Sequence, residues 1–77
     1  MEDGITNPDI LIRFGERVRA LRRAKKLSQD DLAAACGLNR TYVSEVENGK
    51  RNVSLRNIEA IAKAIGVTLE KLFEGIK

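Results

Sequence analysis

Residues 39 to 42 read Asn39-Arg40-Thr41-Tyr42, a polar start to a stretch that stops at Asn48-Gly49. The types suit the edge of a base pair. The planar guanidinium fork of Arg40 matches two acceptors side by side, as on O6 and N7 of guanine, and the Thr41 methyl can lie against that of thymine. The same residues also suit an ordinary polar helix start, so their surroundings must decide.

Other chemistries find little support. The chain has 77 residues, no histidine and one cysteine, Cys36. The usual zinc and acid-base constellations are therefore absent, no internal disulfide is possible, and no nucleophile-base pair stands out. An enzyme is rejected, and no metal or cofactor is expected. No redox role is expected for Cys36.

Charge favours a polyanion. The net charge is +3, but residues 13 to 63 carry twelve Lys and Arg against six Asp and Glu, while residues 1 to 12 carry only acids and 64 to 77 balance. A basic middle between acidic and neutral ends is an electrostatic footprint for nucleic acid, although the same residues can simply solvate helix faces. Nothing in the first dozen residues resembles a secretory leader, and no apolar run nears the roughly 20 residues that span a bilayer. The expectation is a cytoplasmic protein with no membrane partner.

The elements that would position these residues are all helical. Asn7-Pro8 can cap a first helix from about Pro8 to Lys25, with Ile10, Leu11, Phe14, Val18 and Leu21 at helical spacing. Within it, Arg19, Arg23 and Lys26 make a basic stripe that either reaches phosphate or stays solvated. Ser28 followed by Asp30 and Asp31 starts a short second helix that ends before Gly37. Asn39 caps a third helix, with Val43 and Val46 turned inward and Arg40, Thr41, Ser44 and Glu45 outward. After Lys50-Arg51-Asn52, Ser54 caps a fourth, whose Leu55, Ile58, Ile61, Ala62 and Ile65 form an apolar stripe ended by Gly66. Thr68 caps a fifth with Leu69, Leu72, Phe73 and Ile76 at positions i, i+3, i+4 and i+7.

This predicts an all-α fold, a compact five-helix domain over residues 8–77 behind a flexible N-terminus, 1–7. Two short helices joined by Cys36-Gly37-Leu38-Asn39 form a helix-turn-helix at about 28–48, whose second helix fits the major groove. The helices of 54–77 complete the core. Their apolar set is larger than one face can bury, so Val67, Leu69, Phe73 and Ile76 are the expected homodimer interface.

Ser28-Gln29-Asp30-Asp31-Leu32-Ala33 through Cys36-Gly37, then Val43, Val46-Glu47-Asn48-Gly49, resembles the Cro and phage-repressor family, also called the xenobiotic-response-element (XRE) family. The likeness continues through Ser54-Leu55 and Ile61-Ala62-Lys63-Ala64-Ile65-Gly66-Val67 and implies a lambda-repressor-like fold. More narrowly, Asn39-Arg40-Thr41-Tyr42-Val43-Ser44 with Arg51-Asn52-Val53-Ser54-Leu55 is similar to the controller proteins of restriction-modification systems.

The resemblance implies roles. Arg40, Thr41 and Glu45 fall on base-reading positions, Glu45 being compatible only if it accepts from the cytosine amino group or points away from phosphate. Gln29 falls on the position that holds a phosphate at a helix N-terminus, and Asn39, Tyr42, Ser44, Arg51 and Asn52 on positions that touch backbone or flanking bases. Arg22 and Glu47 match an internal ion pair. The function implied is a transcriptional regulator that binds a (pseudo)palindromic double-stranded DNA operator as a homodimer, with RNA polymerase admitted as a further partner. A phage-type repressor shares much of the pattern. So does an antitoxin or protein-interaction module with secondary DNA binding, though such a module usually needs an added partner-binding segment.

Overall fold

Every helix in the computed structural model, which describes residues 9–76, begins on a side chain that accepts from its own first turn. The elements are α1 (Ile10–Ala24), α2 (Gln29–Cys36), α3 (Arg40–Glu47), α4 (Leu55–Ile65) and α5 (Leu69–Leu72), with no strand among the described residues. Ser28, Asn39, Ser54 and Thr68 cap α2 to α5, each accepting from the backbone N–H three residues on. Each such bond satisfies a donor that helix geometry leaves without a partner.

The first cap differs from expectation. The described structure places it at Asp9, whose carboxylate accepts from the Leu11 N–H at 2.7 Å, so α1 starts at Ile10 and not at Pro8. The Asn7-Pro8 cap and the expected flexible segment 1–7 lie outside the described residues. At its other end α1 stops at Ala24, with Lys25 as the cap.

Phe14, Val18 and Leu21 of α1, Leu32 and Ala33 of α2, Val43 and Val46 of α3, Ile61, Ala62 and Ile65 of α4, and Leu72 of α5 make one buried core. Within it α1 packs on α3, α2 lies against both α3 and α4, and α5 closes over α4 and α1. The α1–α3 crossing is unusually tight. Gly15 is buried there, and a Cβ on it would stand 2.7 Å from the Glu47 carbonyl oxygen. Only a residue without a side chain lets the two backbones approach this closely.

Two expectations about the C-terminal half are corrected. Leu55 is 73% exposed rather than part of the buried stripe of α4. At 100° per residue it lies about 70° from the mean direction of Ile58, Ile61, Ala62 and Ile65, on the edge of that face. The fifth helix is a single turn: Phe73 is its cap and Gly75 has φ +85°. Ile76 therefore reaches the core through a turn, its N–H donating to the Phe73 carbonyl at 3.0 Å, and not by helical periodicity.

So short a helix needs outside support, which α1 supplies. Arg17 donates through Nη2 to the Lys71 carbonyl at 2.8 Å and through Nε to the Leu72 carbonyl at 3.3 Å. Phe73 stacks on Phe14 with ring centroids 5.5 Å apart. Arg17 thus meets the Leu72 carbonyl at the end of the one-turn helix and joins the Glu74 N–H on the Lys71 carbonyl.

Candidate nucleic-acid interface

α2 and α3 are joined by three residues, Gly37, Leu38 and Asn39. The turn is fixed at both ends. Ser28 and Asp31 form a reciprocal capping box, with bonds of 2.9 and 2.8 Å, which also holds the Asp31 carboxyl below its ordinary value. Gly37 takes a left-handed φ of +73° that ends α2 and lets Leu38 N–H return to the Ala33 carbonyl at 2.9 Å.

α3 is anchored from within by Glu47, which is 2% exposed. Its carboxylate accepts from Arg22 Nε at 2.6 Å and Nη2 at 3.0 Å, from Gln29 Nε2 at 3.1 Å and from Arg19 Nε at 3.3 Å. Burial alone would raise the Glu47 carboxyl. The bonds from Arg22, Gln29 and Arg19, together with the Arg22 charge, outweigh it and leave the group below the usual carboxylate range. Arg22 also donates to the Leu27 carbonyl at 2.7 Å, so one network ties α1, α2 and the end of α3 together.

On the outer side, Gln29, Arg40, Thr41, Ser44 and Glu45 share a concavity of about 350 Å³ with Asn48 and Lys50. Arg40 is exposed, with Asp30 as a loose neighbour at 3.7 Å. Gln29 belongs to both sides, half-buried with its amide on Glu47 and its body on the concavity. Asn39 spends its side chain on the cap, accepting from Tyr42 N–H at 2.7 Å.

Beside the concavity, Arg51 donates through Nε to Glu45 Oε1 at 2.7 Å and lies over the Tyr42 ring, 5.1 Å from its centroid. The Tyr42 hydroxyl accepts from Asn57 Nδ2 at 3.1 Å. Glu45, one of the three expected base readers, is thus engaged by a neighbouring cation. Asn52, exposed beside Arg51, borders an apolar recess with Ile10, Val53, Ile58 and Phe73.

Sequence reasoning missed several members. Arg19 is not a free part of a basic stripe, for it turns inward to Glu47 and donates to Asn48 Oδ1 at 2.9 Å. Asn48 registered only as a helix stop, and Lys50 only as part of a basic loop. Asn57 carried no signal, because its meeting with Tyr42 depends on how α4 folds back. Cys36 is half-buried against the core, and burial pushes its thiol up, away from the reactive thiolate.

Of the expected dimer residues, Leu69 and Phe73 are exposed, while Val67 and Ile76 are half-buried against the core. Leu69 shares a shallow groove with Leu55, Arg56 and Glu59. No helix among the described residues is long and apolar enough to cross a membrane.

Comparison with known proteins places this geometry. A helix-turn-helix family model matches residues 18–72. The control protein C.MunI of a Mycoplasma species is 53% identical over 70 residues, covering 90% of this chain and 95% of that protein. The control protein C.BamHI of Bacillus amyloliquefaciens is 49% identical over 67 residues, covering 86% and 83%. The crystal structure of the restriction-modification controller protein C.AhdI from Aeromonas hydrophila superposes with a TM-score of 0.80 at 52% identity, covering 82% of this chain and 96% of that one. The chain belongs to the XRE-type helix-turn-helix family, in the branch of the restriction-modification control proteins.

Proposed function

We propose that this protein is a non-catalytic transcriptional regulator of the restriction-modification control type, active in the cytoplasm, that binds a (pseudo)palindromic double-stranded operator as a homodimer. The observation that carries the reading is the outward row of α3. Arg40, Thr41 and Ser44 stand exposed or half-exposed on one concavity, on a helix whose inner side is fixed by the buried Glu47 network. A helix presented rigidly can spend its outer side chains on base edges.

In this reading Arg40 takes guanine O6 and N7, and Thr41 the methyl of a thymine. Gln29, with the N-terminus of α2, holds a phosphate through the amide hydrogen not given to Glu47. Ser44, Lys50 and Arg51 follow the backbone or flanking bases. Leu55 and Leu69, exposed on one groove, are the natural centre of the two-fold contact that brings two α3 helices to successive major grooves. RNA polymerase is kept as a further partner on the strength of the family alone.

The test uses a duplex selected by the protein from a randomised pool, with every base pair then replaced in turn. Arg40→Ala should cost about 1 to 3 kcal/mol per half-site on the selected duplex, much less on unrelated DNA, and lose its preference at one base pair per half-site. Gln29→Ala should weaken all sequences by similar factors and keep the order of preferences. An Arg40→Ala protein with unaltered base preferences would refute the assignment.

A further inference from the structure

Among the described residues, Glu45 is the one acid lining the concavity that α3 presents, where a carboxylate facing phosphates opposes binding. Its closest partner belongs to the same chain. Arg51 Nε meets Glu45 Oε1 at 2.7 Å, and the same guanidinium lies 5.1 Å from the centroid of the Tyr42 ring. That ring is held in turn by Asn57, which donates to its hydroxyl at 3.1 Å.

An arginine on a loop carries a flexible side chain, and ordering it on binding costs affinity. Here two contacts order it beforehand, and a third holds the ring it lies on. The ring and the carboxylate fix the plane of the fork, and the bond uses Nε, so neither terminal nitrogen is taken by the Glu45 hydrogen bond. The pairing also offsets the charge of Glu45 where it would be least welcome.

We infer that Glu45 is a positioning residue that does not itself read DNA: it holds the Arg51 guanidinium across Tyr42 so that the terminal nitrogens of Arg51 meet the duplex preformed. The inference rests on the reading of this face as the DNA interface and narrows it, moving Glu45 from the base-reading set to a role exerted through Arg51.

Two neutral variants separate the outcomes. Glu45→Ala and Glu45→Gln both remove the charge, but only Gln keeps an oxygen for Arg51 Nε. Both would be titrated, with and without Arg51→Ala, against the selected duplex and its single-base replacements. The Ala variant should bind the selected duplex about three- to tenfold more weakly per half-site than the Gln variant, the range set by ordering one long side chain in each protomer. It should also relax the same base pairs that Arg51→Ala relaxes. In the Arg51→Ala background the two variants should bind alike.

Equal binding of the two variants with Arg51 intact would overturn the inference and leave Glu45 as a charge alone. A difference that persists without Arg51 would also overturn it, since Glu45 would then touch DNA directly. A protein that selects no consensus at all fails the underlying reading instead, and Arg40→Ala tells these cases apart. Glu45 and Arg51 are both solvent-accessible, so the variants are expected to fold, and thermal melts check this.

Discussion

At the residue scale, one carboxylate does most to fix the site. Glu47 is buried with three side chains donating to it, and removing it leaves the Arg22 charge buried without its partner. Breaking a buried pair from one side costs about 3 to 5 kcal/mol. A domain of this size has about 4 to 12 kcal/mol in all, at 0.05 to 0.15 per residue. Glu47→Ala should therefore remove a quarter or more of the protein's stability, as a lower urea midpoint would show. The same group sets an acid limit. Its folded value lies below its unfolded one, so its contribution is complete above the ordinary carboxylate value near pH 4 and disappears as pH falls through the folded value. Asp31 acts in the same direction through the Ser28 box. Melting temperature should hold down to about pH 5 and fall below it. In Glu47→Gln the fall should be shallower; an equally steep fall would assign the acid loss to other groups.

At the element scale, the tightest constraint is the crossing of α1 and α3 at Gly15. Alanine is worth up to about 1 kcal/mol more than glycine inside a helix. Here, however, the new methyl would meet backbone carbonyls of Val46 and Glu47, which cannot rotate away. Overpacking of this kind costs about 1 to 3 kcal/mol or more. Gly15→Ala should thus lower stability despite its propensity and weaken DNA binding by shifting α3; a stabilised variant would show that the helices separate easily. None of this was legible in the sequence, where Gly15 is one glycine within a helical pattern. The caps Ser28, Asn39, Ser54 and Thr68 and the stops at Gly37 and Gly66 were legible, because capping and left-handed backbone are decided by a few adjacent residues. The start of α1, the brevity of α5, the exposure of Leu55 and the Glu45–Arg51–Tyr42–Asn57 chain were not. Each depends on competing caps or on which distant element packs alongside. Arg22 and Glu47, 25 positions apart, came from family likeness, since nothing local pairs them.

At the scale of the whole molecule, the basic middle of the chain and the apolar C-terminal edge lead to separate measurements. A dimer whose Lys50 and its partner copy neutralise phosphates should lose affinity with salt at a logarithmic slope of about 0.9 per neutralised phosphate, to which the neutral Gln29 adds little. A flat response across the titration would exclude a backbone clamp. Leu69→Asp places a charge on the exposed groove shared with Leu55 and should leave the monomer folded while lowering dimerisation and operator binding together. Sedimentation at micromolar concentration reads this, and a wild-type protein that is strictly monomeric with and without DNA would end the two-fold model. Finally, the Gly15 contact bears on how such a protein changes its target. The inner side of α3 is located by peptide carbonyls against α1 and by the Glu47 network, neither of which involves the side chains at 40, 41 and 44. Those outer positions can be exchanged during descent, or by an engineer, without re-solving the fold. New operators should therefore be reachable through a few surface substitutions, with Gly15, Arg22 and Glu47 as the chassis that stays.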